Sequence, residues 1–539
     1  MNLLPPKKQG MAIDHVSSSA MWAIAILLHA VFVLAGKYHV DEGYYHLAPM
    51  LVLQGKLPYR DFLWVQAPLF PFIYALFAAA LGKSLIAMRA VTALLALICY
   101  ALTARTARRI GGPTGARLAL LLTGCNPYLV YHLSYIKLYA LTALLLSLAV
   151  DALARETPSV RHWCLASVCL ALGASTRITV FPALAVFALV AVWRLKWQAV
   201  APVLTAMAVL MACHAPWLAL ARESYTYGLF TYHAAKESFS LPRQFLYKVD
   251  SLSYVLRFFF LQTFCAILLL LVRADNLAAL KEWCQVRPGV ALAWLITCLT
   301  LAVHFTSQVP YVYEYLAVGL PALAALTAGA LSASLSQVSP QLSRVTMISI
   351  AAGAVLNLAG YGKTDLATVQ PRPAALYMSA VVKDIQRLTS AEATILTFNN
   401  SLAAEAGRNV LPGDEMNVLT YAPDWDEVRC REYHILNVDM LVRAIQDREL
   451  EAILVTKDSF IGNFPVLFNP GEEGARPTVM QAIKRFYRIE RRYPNFGYFN
   501  RTAELYVPRP PGEELSEEIV PKEDDRKPVW PGRLFVSEG

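Results

Sequence analysis

The sequence predicts a polytopic α-helical membrane protein that ends in a small soluble α/β domain. Of its 539 residues, 56% are hydrophobic and only 16% are charged. Soluble domains carry roughly 25% charged residues. The mean hydropathy is +0.43. Apolar runs long enough to cross a bilayer continue as far as Tyr361, and beyond it charged residues and prolines become more frequent. These observations exclude a wholly soluble chain and place the soluble part at the C-terminal end.

The membrane part contains repeated apolar runs of roughly 17 to 25 residues, the length that crosses about 30 Å of hydrocarbon. From these runs we predict about eleven transmembrane helices. Their approximate ranges are 20–36, 85–105, 115–132, 138–154, 162–179, 180–194, 199–220, 251–273, 290–306, 311–333 and 345–361. The apolar run at 68–82 has two prolines in its first turn and follows a polar loop, which predicts a juxtamembrane or re-entrant helix there.

Four parts make up the predicted chain: a cytosolic leader at 1–19, a transmembrane core at 20–361 with its first outer loop at 37–84, an extracytoplasmic α/β domain at 362–507, and an extended or disordered tail at 508–539. The orientation follows from short-loop arginines and lysines, which gather on one side if the N-terminus is cytoplasmic. The loop at 221–250 is an exception with basic residues on the outer side. It indicates either an inverted topology or a function for those charges.

The net charge of +9 fits basic loops that face a cytoplasm and anionic lipid. No nucleic-acid partner is therefore predicted. In the C-terminal part, a buried strand ("ATILTF"), an amphipathic helix ("NVDMLVRAIQDREL") and another strand ("EAILVT") form a predicted β-α-β unit. A second helix ("PTVMQAIKRFY") leads to strands near "YRIERRYP" and "AELYVPR".

An adjacent acid pair, Asp41 and Glu42, follows the first apolar run by a few residues. Carboxylates near a bilayer are costly unless they are hydrated, paired or protonated. One interpretation makes them hydrated caps of a helix that begins near Gly43. Another makes them part of a metal site, because Glu42 and His46 stand four residues apart on one helix face and His39 lies close to Asp41. A third gives them a catalytic role.

The stretch around this pair resembles a known family. A first span followed by Asp-Glu-Gly-Tyr-Tyr, then "GKLPYRDF" and a proline-initiated apolar run, is similar to the integral-membrane glycosyltransferases of the GT-C superfamily. The branch with protein O-mannosyltransferases, lipid A aminoarabinose transferases and Rgt-type sugar transferases is the most similar. "ALGASTRITVFPAL" and "SQVPYVYEYLAVGLPALAAL" resemble further motifs of that branch. The likeness covers about the first 360 residues and implies a GT-C type fold.

The resemblance implies transfer of a sugar from a polyprenyl-phosphate donor to a glycan, glycolipid or protein hydroxyl at the outer membrane face, with inversion. It implies Asp41 as the general base, with Glu42 orienting the site. The candidate ligands of the donor phosphate are Arg177, Arg243, Lys248, His304 and Lys137. Candidate acceptor or sugar contacts are Tyr44, Tyr45, Arg60, Tyr313 and Tyr315. Lys137 departs from the family pattern, because many relatives carry an acid in this second outer loop.

A bacterial inner membrane is the predicted location. No cofactor is required by this interpretation, while a divalent metal stays open, with Glu42 and His46 as weak candidate ligands. Two other classes also stay open. A lipid-linked sugar transporter or flippase would bury few charges near a lipid headgroup, although transporters commonly show inverted repeats and the sequence shows none. A non-catalytic envelope-assembly protein would keep the fold and tolerate loss of the acid pair.

Overall fold

The computed structural model describes residues 18–39, 41–234, 242, 245–246, 248–249, 261, 263–265, 267–268, 287–306, 313–336, 339–361, 372–423, 425–456, 459, 475–497 and 500–515. Most of these residues are helical. The helices of the first part are α1 (Ser18–Ala35), α2 (Glu42–Leu53), α3 (Leu69–Leu81), α4 (Leu85–Thr123), α5 (Pro127–His132), α6 (Leu138–Leu153), α7 (Val160–Thr176), α8 (Phe181–Leu195), α9 (Val200–Leu220), α10 (Arg222–Thr226), α11 (Tyr232–Ala234), α12 (Pro288–Thr306), α13 (Leu320–Leu335) and α14 (Pro340–Tyr361).

Several of these helices are long and apolar enough to cross a membrane. By length and composition, five segments of the described chain qualify: 18–35, 85–123, 178–220, 288–306 and 340–358. Shorter apolar helices occupy 69–81, 138–153 and 320–335. The predicted multi-pass α-helical membrane protein is confirmed. The helix predicted at 251–273 lies mostly outside the described residues.

Two glycines break α4 into a segment that contains the span predicted at 85–105 and a shorter one that overlaps the start of the span predicted at 115–132. Gly111 and Gly112 have non-helical dihedral angles, and Pro113 follows them. The φ of Gly112 is 74°, a region that favours glycine. The structure corrects the span predicted over 115–132, because α4 ends at Thr123 and a turn leads into α5. The Asn126 side chain caps α5 by accepting hydrogen bonds from the backbone amides of Tyr128 and Leu129. Local capping therefore outweighs the apolar composition of this segment.

The C-terminal part folds as an α/β domain, as predicted. Its helices are α15 (Ala374–Leu388), α16 (Asn400–Ala406), α17 (Glu427–Tyr433), α18 (Val438–Gln446) and α19 (Ala475–Phe486). Its strands are β1 (Thr394–Thr397), β2 (Asn409–Val410), β3 (Ala452–Val455), β4 (Tyr487–Phe496) and β5 (Arg501–Pro508). The sheet order is β2-β1-β3-β5-β4. β1 pairs in parallel with β2 and β3, whereas β5 pairs antiparallel with β3 and β4.

Helix α16 of this domain rests on the membrane core beside the acid pair. The Ser401 hydroxyl donates to the backbone oxygen of Glu42 at 3.5 Å and accepts from the Tyr38 hydroxyl at 3.2 Å. The backbone of Gly43 approaches so closely that an added Cβ would lie 2.9 Å from the amide nitrogen of Asn400. The domain therefore contacts the segment that carries Asp41.

A buried acid pair beside this contact predicts a pH-dependent stability. Burial raises the pKa of Glu415 to about 7 and raises the pKa of Asp414 well above its usual value. Both acids then bind protons in the folded state that the unfolded chain releases near pH 4 to 5. Stability should fall as the pH rises from about 4.5 to 7, by about 1.4 kcal/mol per pH unit for each group.

The measurement is the pH dependence of the melting temperature in detergent. Glu415→Gln should reduce the slope between pH 5 and 7 to about half, because the amide cannot ionise and only Asp414 remains. Glu449→Gln, at an exposed position three residues after the end of α18, is the control and should leave the slope unchanged. Equal slopes for the wild type and Glu415→Gln would contradict the prediction.

Candidate active site

Asp41 precedes the first residue of α2, but it does not act as a helix cap. Its side chain makes no capping hydrogen bond to α2. Instead, its Oδ2 atom lies 2.7 Å from Nζ of Lys137, in the loop between α5 and α6, and the Asp41 side chain keeps 23% of its surface exposed. Asp41 is thus a carboxylate that is held by an ion pair and remains partly exposed.

Lys137 joins Asp41 to a second carboxylate, that of Glu314. Its Nζ lies 3.2 Å from Oε2 of Glu314, and its side chain is only 1% exposed. Burial alone would lower the pKa of Lys137, but the negative charges of Asp41 and Glu314 outweigh burial and raise it. His39 completes the group, with Nε2 at 3.5 Å from Oε2 of Glu314. The ammonium group is therefore held between two carboxylates.

Arg177 supplies a second cation next to this group. It follows the last residue of α7 in extended conformation, with φ −144° and ψ 111°, within the "ALGASTRITVFPAL" motif. Its guanidinium carbon lies 4.3 Å from the ring centre of Tyr315 and 5.3 Å from that of Tyr139. Its Nε donates to Nε2 of His304 at 3.0 Å. Within the described part of the chain, no carboxylate forms an ion pair with Arg177, although the residue is only 7% exposed.

Glu42 has a different environment from Asp41. Its carboxylate accepts two hydrogen bonds from Arg89, at 2.7 and 2.5 Å, and both residues are 0% exposed. Glu42 also accepts from the backbone amide of Ile136 at 3.0 Å, and Arg89 donates to the carbonyl of Gly36 at 2.9 Å. The pair thus links α1, α2, α4 and the loop that carries Lys137. This geometry favours an orienting role for Glu42.

Breaking this buried pair should destabilise the protein. Glu42→Gln leaves the Arg89 guanidinium without its anion in a dry site, and we expect a loss of about 3–5 kcal/mol in the free energy of unfolding. The measurement is denaturant or thermal unfolding in detergent. Arg60→Gln is the matched control, because it breaks an exposed pair with Asp61 and should cost far less. A Glu42→Gln variant as stable as the control would contradict the prediction.

The other predicted site residues fall into two groups. Tyr45 is buried and interacts electrostatically with Asp41, Lys137 and Arg177, and Tyr44 packs against it at 4.4 Å between ring centres. Lys248 donates to the carbonyl of Phe305, next to His304. Elsewhere, Arg60 lies at the surface with Asp61, and the backbone of Tyr313 begins a short 3₁₀ helix. Arg243 lies outside the described residues.

Sequence reasoning missed Glu314 and Arg89. The available signal for Glu314 was a single acid among the tyrosines of "PYVYEY". Arg89 lies in an apolar run, where an ionisable residue is expected to have a buried partner.

A metal-compatible group is present, and it contains His39 and Asp41 of the predicted residues but neither Glu42 nor His46. His46 Nε2 contacts the carbonyl of Lys83 at 2.8 Å, and Glu42 is engaged by Arg89. Among the described residues, the potential ligand atoms that come together belong to His39, Asp41 and Glu314, all within 4.8 Å of one another. Lys137 lies against two of these three residues.

The fold and part of the sequence match known proteins. A protein-family profile described as dolichyl-phosphate-mannose-protein mannosyltransferase matches residues 65–219. The crystal structure of ArnT from Cupriavidus metallidurans bound to undecaprenyl phosphate is similar, with a TM-score of 0.57 and 14% identity over 92% of this chain and 98% of that one. The crystal structure of the same ArnT in the apo state gives a TM-score of 0.54 and 13% identity, over 90% of this chain and 97% of that one.

An oligosaccharyltransferase from Archaeoglobus fulgidus in complex with Zn and sulfate gives a TM-score of 0.47 and 11% identity, over 88% of this chain and 72% of that one. No curated protein sequence matches the chain significantly. The chain has the fold of the GT-C superfamily of membrane glycosyltransferases, which confirms the resemblance seen in its motifs.

Proposed function

We propose that the protein transfers a monosaccharide from a polyprenyl-phosphate donor to an acceptor hydroxyl, with inversion at the anomeric carbon. One observation carries the proposal: a partly exposed carboxylate, Asp41, and a buried guanidinium without a carboxylate partner in the described chain, Arg177, belong to one cluster. The printed names of the similar proteins support it, since ArnT is described as bound to undecaprenyl phosphate and the matching profile as a mannosyltransferase that uses dolichyl-phosphate-mannose.

The proposed reaction needs one base and one anion-binding group. Asp41 accepts the proton of the attacking hydroxyl as its oxygen bonds to the anomeric carbon. The bond from that carbon to the phosphate oxygen breaks, and the electron pair leaves with the lipid phosphate. Arg177 then stabilises the added negative charge through its terminal nitrogens. The products are the glycosylated acceptor, the lipid phosphate and a proton on Asp41 that passes to water.

The surrounding side chains position Asp41 and Arg177 for these two roles. Tyr139 lies between the two cations, 5.2 Å from Nζ of Lys137 and 5.3 Å from the guanidinium carbon of Arg177. His304 receives the Nε proton of Arg177 and contacts the carbonyl of Thr300 through Nδ1 at 2.6 Å. The Nε hydrogen bonds to His304 and Thr179 fix the direction of the guanidinium. Among the described residues none bonds to its two terminal nitrogens, which we assign to the donor phosphate. Tyr45 and Tyr315 complete the wall of the proposed sugar site.

The site faces the outside of a bacterial inner membrane in this proposal, with the α/β domain on the same side. Glycan, glycolipid and protein acceptors all offer the hydroxyl that Asp41 requires. The contact between α16 and the start of α2 supports a role for the α/β domain in orienting the acceptor.

The test is sugar transfer by the purified protein in proteoliposomes. A panel of polyprenyl-phosphate monosaccharides with radiolabelled sugars is offered together with envelope extracts as acceptors. Label should move to an acceptor from a lipid-phosphate donor and not from the corresponding nucleotide sugar. Movement of the intact donor between leaflets, without cleavage of the sugar-phosphate bond, would instead favour a flippase. Neither cleavage nor movement with any donor of the panel would contradict the proposed function.

A further inference from the structure

The ammonium group of Lys137 lies at the centre of the acidic part of the site. Its Nζ is 2.7 Å from Oδ2 of Asp41 and 3.2 and 3.3 Å from the two carboxylate oxygens of Glu314. The rings of Tyr135 and Tyr139 flank it, with centres 5.3 and 5.2 Å away. The aromatic faces stabilise a cation at this position. A single positive charge is thereby fixed between two carboxylates.

A divalent cation would need the same oxygens. His39, Asp41 and Glu314 offer one nitrogen and two carboxylate oxygens, a donor set that suits zinc or manganese. An ion held by these atoms would lie within a few ångströms of the Lys137 ammonium, since that group contacts both carboxylates. At 1% exposure Lys137 has little water to screen this repulsion. The three residues therefore do not fit a divalent cation while Lys137 is charged.

We propose that Lys137 takes the place of a divalent cation in this site, holding Asp41 and Glu314 together so that the protein binds no metal there. Lys137 is a positioning residue in this inference, because it acts through Asp41. The inference has two parts, and only the first, the positioning of Asp41 for catalysis, rests on the proposed function. The ion-binding half concerns the apparent affinity of the folded protein for Mn²⁺ and can be measured without any sugar donor.

The experiment measures Mn²⁺ binding to the full chain in detergent by electron paramagnetic resonance of the free ion. The wild type should show no saturable binding at the site, and its activity should survive dialysis against a chelator. Lys137→Gln removes the charge and retains a polar side chain. It should bind Mn²⁺ saturably, with a Kd at least about tenfold below the highest Mn²⁺ concentration at which the wild type shows no binding, because the repulsion is gone.

Two variants control for other causes. Lys137→Arg keeps the positive charge and should gain no affinity for Mn²⁺. In the Lys137→Gln background, Glu314→Gln removes one ligand and should abolish the gain. Melting temperatures show whether each variant is folded.

The inference can be overturned even if Lys137→Gln fails to fold. Saturable Mn²⁺ binding by the wild type that Glu314→Gln removes would overturn it, as would a folded Lys137→Gln with no added affinity. Inactivity towards every sugar donor would contradict the proposed function and leave the ion-binding result unaffected.

Discussion

Asp41→Asn should lower kcat for sugar transfer by roughly 10²- to 10⁴-fold, the contribution typical of a positioned general base. The amide keeps the size of the side chain and can still contact Lys137, but it cannot accept the proton of the attacking hydroxyl. The KM for the lipid-phosphate donor should change little, because the proposed mechanism assigns the donor phosphate to Arg177. Steady-state kinetics with the donor at varied concentration separate the two effects.

Asp439→Asn is the control, since Asp439 is an exposed acid in the first turn of α18. It should retain wild-type kinetics. A melting temperature close to that of the wild type would show that Asp41→Asn is folded. If Asp41→Asn retained full activity, Asp41 could not be the base.

Arg177→Met should have the second large effect, a loss of roughly 10²- to 10³-fold in kcat/KM for the donor. The thioether side chain keeps the apolar contacts with Tyr139 and Tyr315 but removes the charge that meets the phosphate. Arg177→Lys should recover only part of the activity, because an ammonium group cannot form the two parallel hydrogen bonds of a guanidinium. The measurement pairs the kinetics with binding of the lipid phosphate alone.

The matched control is Arg194, which lies near the C-terminal end of α8. Arg194 also stacks on an aromatic ring, with its guanidinium carbon 4.5 Å from the ring centre of Trp193. Arg194→Met also removes a contact between a guanidinium and an aromatic ring, but at the end of α8 away from the proposed site. This variant should keep the kcat/KM of the wild type. An equal loss in both variants would point to a general effect of removing an arginine and would contradict a specific role for Arg177.

The class of fold was predictable because each part of the chain has its own pattern. Bilayer-length apolar runs mark the membrane helices, and short alternating segments mark the α/β domain. Helix α18 is a clear case: the Asn437 side chain caps it with a hydrogen bond from Met440 at 2.8 Å, and its apolar residues share one face. The error at 115–132 arose because hydropathy does not register a turn and cap at Asn126.

The candidate site was predictable where its signals are local. The motifs that contain Asp41 and Arg177 are visible in the sequence itself. The structure brings both residues together with Lys137, His304 and Tyr315. The partners in the ion pairs could not be predicted from local sequence motifs. Lys137 and Glu314 are 177 positions apart, and Glu42 and Arg89 are 47 apart. Partners at such separations are chosen by the packing of helices, which a single sequence does not specify.

The contact of α16 with the segment before α2 has a consequence for how the protein can be divided. Ser401 ties the backbone of Glu42 to the hydroxyl of Tyr38, and the Glu405 carboxylate accepts the first backbone amide of α4, that of Leu85, at 3.0 Å. The α/β domain therefore contacts the start of α2 and supplies an acceptor for a free amide at the start of α4. A chimera that exchanges the domain alone would lose both contacts. An exchange intended to alter acceptor choice has to carry α2 and the start of α4 with it.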